Sequence, residues 1–177
     1  MRNGMIWLCC WLLAASASAE TLLGSTNIEI TGEIFARTCD IAEGESNKVV
    51  DLKEHDRRLF DHVGAVSDSQ PFTITLENCV LNPKTSNDVY MTFSGQPANG
   101  SPELLALTNA GNSGVAGGVA VEILNASKQR IALNSEQAYP ITDGTNDFVF
   151  NLRYYAISSP VSAGDANATL YIDLRYE

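Results

Sequence analysis

Histidine is nearly absent from this 177-residue chain, which has only His55 and His62. A metal centre would need further nitrogen or sulfur ligands. With Glu54, Asp56 and Asp61 beside them, the two histidines read as a solvated charged loop. Basic residues are also scarce, 11 against 21 acidic ones, for a net charge of −10. Such a surface repels phosphate backbones and argues against nucleic acid as a partner. The G-x-S-x-G spacing of a nucleophile elbow is missing, and Gly111-Asn112-Ser113-Gly114 reads as a flexible loop. No lysine follows the glycines of residues 109–118 and no helix opens there, so they form no phosphate cradle. No cofactor is expected, and no enzyme. No long segment has a helical period, and no long apolar run follows residue 15, so membrane insertion is not expected.

The apolar run that is present, residues 5–15, follows Arg2 and precedes Ala17-Ser18-Ala19. It is too short for a membrane span, and with the small residues behind it reads as a secretory signal peptide over 1–19. Both tryptophans, Trp7 and Trp11, and two of the four cysteines, Cys9 and Cys10, leave with this leader. Removing Arg2 leaves 10 basic residues against 21 acidic, a mature net charge of −11. The 158 residues from Glu20 onward suit one domain with a real core. Cys39 and Cys79 are then a lone pair in an exported chain, where a disulfide is the default. Closing that loop contributes about 4 kcal/mol in the chain-entropy account.

What the chain has in quantity is short alternating segments. In residues 26–35 (TNIEITGEIF), Thr26, Ile28, Ile30, Gly32 and Ile34 fall on one side, against Asn27, Glu29, Thr31 and Glu33. Side chains of a strand alternate between faces, so this is a strand with one apolar face. Residues 48–52 (KVVDL) form a brief segment of the same kind. Residues 71–78 align Phe72, Ile74 and Leu76; residues 89–94 align Val89, Met91 and Phe93. Residues 118–124 align Val119, Val121 and Ile123, and residues 147–157 align Phe148, Phe150, Leu152, Tyr154 and Ala156. Residues 167–176 set Ala168, Leu170, Ile172, Leu174 and Tyr176 against Thr169, Tyr171, Asp173 and Arg175. Residues 104–107 suit a turn of helix or a strand, and residues 54–62 suit one helical turn. Gly, Asn, Ser and Pro clusters punctuate these runs, the mark of an antiparallel β-sandwich. Both ends of the mature chain carry a well-patterned strand, an aggregation hazard unless something covers it.

The order and spacing of these features resemble the pilin subunits of chaperone–usher fimbriae, nearest the type 1 group. The resemblance rests on the alternating extension containing Gly32, the Cys39 and Cys79 pair, PFTITLENC, residues 104–107, GVAVEIL followed by Ile131-Ala132-Leu133, and the C-terminal VSAGDANATLYIDLRYE. It implies an all-β, incomplete immunoglobulin-like sandwich lacking its final strand, with residues 20–32 as a donor-strand extension and 33–177 as the pilin domain. On that resemblance Thr26, Ile28, Ile30, Gly32 and Ile34 form the donor strand. Ala168, Leu170, Ile172 and Leu174 line one edge of an acceptor groove, with residues 35–41 near the other. Tyr176 and the carboxylate of Glu177 are where a periplasmic chaperone grips. The implied partners are that chaperone, an outer-membrane usher and neighbouring pilins, and the destination is the fimbrium on a bacterial surface.

Two other readings remain at this point. One is a complete, monomeric immunoglobulin-like module that binds carbohydrate or protein, with residues 28–34 as its own first strand. The other is an exported metalloenzyme built on His55 and His62. The leader reading has a direct test. The intact mass of the exported chain is expected to correspond to residues 20–177, and a mass retaining Cys9 or Cys10 would contradict it.

Overall fold

The computed structural model describes residues 39–81 and 87–176. Among them nine strands run in the order β1 (Asp40–Ile41), β2 (Gln70–Cys79), β3 (Asp88–Ser94), β4 (Pro97–Ala98), β5 (Ser101–Leu105), β6 (Val119–Leu124), β7 (Glu136–Pro140), β8 (Gly144–Ala156) and β9 (Tyr171–Tyr176). They make a six-stranded sheet, β1-β2-β8-β6-β5-β4, and a three-stranded sheet, β7-β3-β9, with antiparallel pairing throughout. The all-β class and the sandwich are as the alternation predicts.

The two sheets meet through the predicted inward faces. Val89, Met91 and Phe93 of the central strand β3 are fully buried, opposite Phe72, Ile74 and Leu76 of β2 and Phe150 of β8. Phe150 anchors the interface, with ring centroids 4.8 Å from Phe93, 5.6 Å from Phe72 and 5.6 Å from Tyr139. Aromatic pairs at these separations add to simple area burial. A disulfide joins Cys39, just before β1, to Cys79 at the end of β2.

One segment differs from the sequence reading: residues 48–52 form no strand. At residues 104–107, where a turn of helix or a strand was expected, β5 runs over Ser101–Leu105. The 54–62 turn is a 3-10 turn over Arg57–Phe60, started by the Asp56 carboxylate accepting from the Arg58 amide at 2.9 Å. Strand β7 carries a mostly exposed sequence with only Tyr139 turned inward, which is why no periodicity announced it.

Strand β6 departs from simple alternation, because all six of its residues are buried. Its inward Val119, Val121 and Ile123 were expected; Ala120, Glu122 and Leu124 on the other face were not. Glu122 is 2% exposed and accepts from Arg130 Nε and Arg153 Nε, each at 2.6 Å. Arg130 also reaches Glu103 at 3.3 Å and lies over the Tyr155 ring, 4.8 Å from its centroid. A buried carboxylate survives because both oxygens take charge-assisted hydrogen bonds. Removing one partner of such a cluster leaves the others buried and unpaired. Glu122→Ala is therefore expected to destabilise the domain by roughly 3 kcal/mol, the low end for buried pairs because both guanidiniums keep some surface in water. A shift of the denaturant midpoint reads this, and a midpoint unchanged from wild type would contradict it.

Candidate functional site

Strand β9 lies at the edge of the smaller sheet. It pairs with β3 from Val89↔Tyr176 to Ser94↔Tyr171, and among the described residues no strand pairs with its other side. From residue 166 to 176 its exposure alternates without a break. Asn167, Thr169, Tyr171, Asp173 and Arg175 are exposed; Ala166, Ala168, Leu170, Ile172, Leu174 and Tyr176 are half-buried and pack against the core. These inward side chains contrast with Val89, Met91 and Phe93 beside them, which are fully covered. The regular ladder starts only at Tyr171 because β3 ends at Ser94, although the alternation begins earlier.

The uncovered side is a groove of about 1220 Å³. Residues 166–174 form one bank, and Leu105, Val121, Leu152, Tyr154, Phe72 and Ile74 supply an apolar floor. The opposite bank is residues 48–55, with Ile41 lining the groove as well. Sequence reasoning placed that second edge near residues 35–41, of which Ile41 lines the groove and 35–38 lie outside the described residues. The bank at 48–55 was legible as the alternating KVVDL, but nothing in its pattern said what it borders. Here Leu52 is buried and Val50 half-buried, while Val49 is 95% exposed. Lys48 ties this bank to the larger sheet, its Nζ donating to Glu45 at 2.7 Å and to the Thr73 carbonyl.

One end of the groove is built by two loops zipped together. Ala116 N donates to Asp165 O at 2.9 Å, Asp165 N to Gly114 O at 2.7 Å, and Thr108 N to Asn167 O at 2.7 Å. Gly164 is required in this seam, since a Cβ there would meet Ala116 N at 2.5 Å. Tyr154 on the floor donates its hydroxyl to Ala166 O at 2.9 Å. Tyr176, two residues beyond Leu174, ends β9. Its hydroxyl is buried without a hydrogen-bond partner among the described residues.

The predicted acceptor residues Ala168, Leu170, Ile172 and Leu174 thus share one bank of a single groove. Thr26, Ile28, Ile30, Gly32, Ile34 and Glu177 lie outside the described residues. The histidines are spent locally. His55 donates Nε2 to Leu52 O at 2.9 Å and packs edge-on to Tyr154 and Phe60, while His62 Nδ1 sits 2.5 Å from Asp61. Among the described residues no three His, Cys, Asp or Glu side chains gather as metal ligands.

Burial pushes the Tyr139, Tyr154 and Tyr176 phenols up from the usual value near 10, with smaller contributions from Asp51 at Tyr154 and Asp40 at Tyr176. A raised folded-state pKa means the unfolded chain loses these protons first as pH climbs. Their stabilisation is complete below the unfolded value of about 10 and is lost as pH rises through the folded ones. Stability is expected to fall above about pH 10, and Tyr176→Phe should flatten that fall. A Tyr176→Phe profile identical to wild type would contradict this.

Comparison with known proteins bears on what such a groove is for. The profile of the family described as Fimbrial protein matches residues 28–177. A type-1 fimbrial protein subunit of Serratia marcescens is 31% identical over 186 residues, with both chains covered completely. A fimbrial subunit type 1 of Salmonella typhimurium is 29% identical, covering 93% of this chain and 89% of its own. Among solved structures, a type I fimbria protein of Burkholderia pseudomallei is 30% identical with a TM-score of 0.60, over 78% of this chain and 88% of that one. The P pilus rod subunit PapA shares the fold at 22% identity, TM-score 0.66, over 78% and 99%. The chain belongs to the fimbrial protein family: it is a structural subunit, exported and assembled into fimbriae at the cell surface.

Proposed function

We propose that the groove receives a β-strand from another polypeptide, and that the subunit polymerises by this donor-strand complementation. The observation that carries the reading is the half-exposed inward face of residues 166–176 beside a strand edge with no described partner. Strand addition suits it physically: backbone hydrogen bonds to β9 give affinity, and alternate side chains entering the groove give specificity. An alternating donor such as residues 26–34 supplies Ile28, Ile30 and Ile34, each worth ~1.5–3 kcal/mol on full burial. Gly32 supplies a position with no side chain, where the backbone can approach closely.

Before assembly the same edge is an aggregation hazard and needs temporary cover. A periplasmic chaperone lending a strand of its own and anchoring on Tyr176 and the Glu177 carboxylate meets that need, with an outer-membrane usher as the place of exchange. Among the solved structures that share the fold is a chaperone–usher pilus, 22% identical with a TM-score of 0.66. The subunit's role on this reading is structural, with no catalysis.

Ile28→Asp and Ile30→Asp change two residues of the proposed donor strand. They are expected to leave the chain in the periplasm and remove it from sheared surface fibres, as read by immunoblot of the two fractions. Asn27→Asp and Thr31→Asp, on the outward side, should assemble normally. Wild-type incorporation of the inward variants would overturn the reading.

A further inference from the structure

The two ends of the larger sheet differ in charge, and β8 sets their separation. Its 13 residues from Gly144 to Ala156 span about 40 Å. At the Ala156 end, Gly64 N donates to Ala156 O and Ala156 N to Ala65 O, each at 2.9 Å. Ser159 Oγ donates to Asp61 O at 3.2 Å. Residues 56–63 are thereby held against the end of β8, and of these only Phe60 is buried. The rest project outward, with the apolar Leu59 and Val63 exposed beside Arg57 and Arg58. The local carboxylates are engaged within the projection, Asp56 with the amide and guanidinium of Arg58 and Asp61 with His62. Arg57 is exposed and has no hydrogen bond or ion pair among the described residues.

The Gly144 end is acidic. The strand register sets Asp40 opposite Glu77 and Asp147 opposite Thr75. Asp40 accepts from Asn78 Nδ2 at 2.9 Å, Asp147 from Thr75 Oγ1 at 2.6 Å and Asp143 from Leu81 N at 2.8 Å. These partners are neutral. Asp40, Glu77, Asp143 and Asp147 are all exposed, and among the described residues none of them has a cation in ion-pair contact. Val80, next to Cys79, adds an exposed apolar side chain.

We infer that these ends are the two halves of one interface between copies of this chain. The Arg57–Val63 projection of one copy docks on the Asp40, Glu77, Asp143 and Asp147 end of the next. Charge decides the pairing. With 21 acidic residues against 11 basic, two copies repel in most orientations, and two acidic ends face to face are the worst of them. Opposite ends instead bring guanidiniums to carboxylates, which they bind through a planar fork of donors. The same orientation brings Leu59 and Val63 to Val80. Arginine framed by apolar side chains is a composition typical of binding hot spots. Because the two surfaces differ and lie at opposite ends, the contact is head-to-tail and repeats along a fibre. It does not use the edge of β9, so its failure leaves the strand-acceptor reading standing.

The test uses the full chain, as the only copy in cells assembling the fimbria. Arg57→Glu with Arg58→Glu is expected to lower the chain recovered in sheared surface fibres several-fold at an unchanged periplasmic level. Adding Glu77→Arg and Asp147→Arg to that chain should restore most of the yield, because every junction then carries the swapped charges. Arg57 also borders the groove, and compensation at the far end separates the two roles. Wild-type yield from the arginine reversal, or no recovery with the compensating pair, would overturn the interface. If the reversed chain fails to accumulate in the periplasm, Arg57→Lys decides, since it keeps the charge and offers carbodiimide an amine. In intact fibres, position 57 is expected to couple to Asp40, Glu77, Asp143 or Asp147, as mapped by peptide mass. Within one chain the two ends stand about 40 Å apart, so such a link joins two copies. Coupling of position 57 only elsewhere in its own chain, only to a different subunit, or not at all would overturn the inference.

Discussion

The open edge of β9 is the constraint on which the rest of the structure depends. Among the described residues β9 is bonded on one side only, which leaves a row of backbone donors and acceptors facing outward and inward side chains without full cover. Among the described residues the smaller sheet has three strands against six in the larger, so the floor formed by β2, β8 and β6 extends beyond the layer above it. The groove follows from that mismatch. Ile172 and Leu174 point toward a core that Met91 and Phe93 have already joined, yet they stay half-exposed.

An incomplete sandwich must hold its shape while a binding edge stands open, and the larger sheet carries the features that do so. Strand β6 is buried on both faces, with Glu122 clamped between Arg130 and Arg153 on the outer one. The disulfide fastens the start of β1 to the end of β2. The loops at the Ala168 end are zipped by backbone hydrogen bonds and admit no side chain at Gly164. Stability is concentrated in the floor, and the opening lies between the floor and β9.

Much of this was legible in the sequence. Strict alternation marked β2, β3, β6, β8 and β9 with their inward faces, because a two-residue period with one apolar face is the direct imprint of a half-buried strand. The shared face of Ala168, Leu170, Ile172 and Leu174 came from the same signal, while their reading as an acceptor bank came from the family resemblance. The second bank was legible only as a strand pattern, KVVDL, and not as a bank: residues 48–52 form no ladder among the described residues, since a strand needs a partner as well as a sequence. Strand β7 escaped because it is an edge strand with one inward residue, Tyr139. Glu122 escaped because a lone acid in an apolar strand reads as solvent-facing; its arginine partners lie 8 and 31 residues away in sequence.

The account stands or falls on whether the domain lacks a strand. Thermal unfolding, with the disulfide intact, of the chain without residues 20–32 would be compared with the same chain carrying residues 24–37 after Glu177 on a flexible linker. The linker lets the added segment fold back antiparallel to β9. A large rise in melting temperature, abolished by Ile28→Asp and Ile30→Asp in the added segment, is the predicted result. A shortened domain that is already stable and indifferent to the added segment would show a complete sandwich and contradict the account.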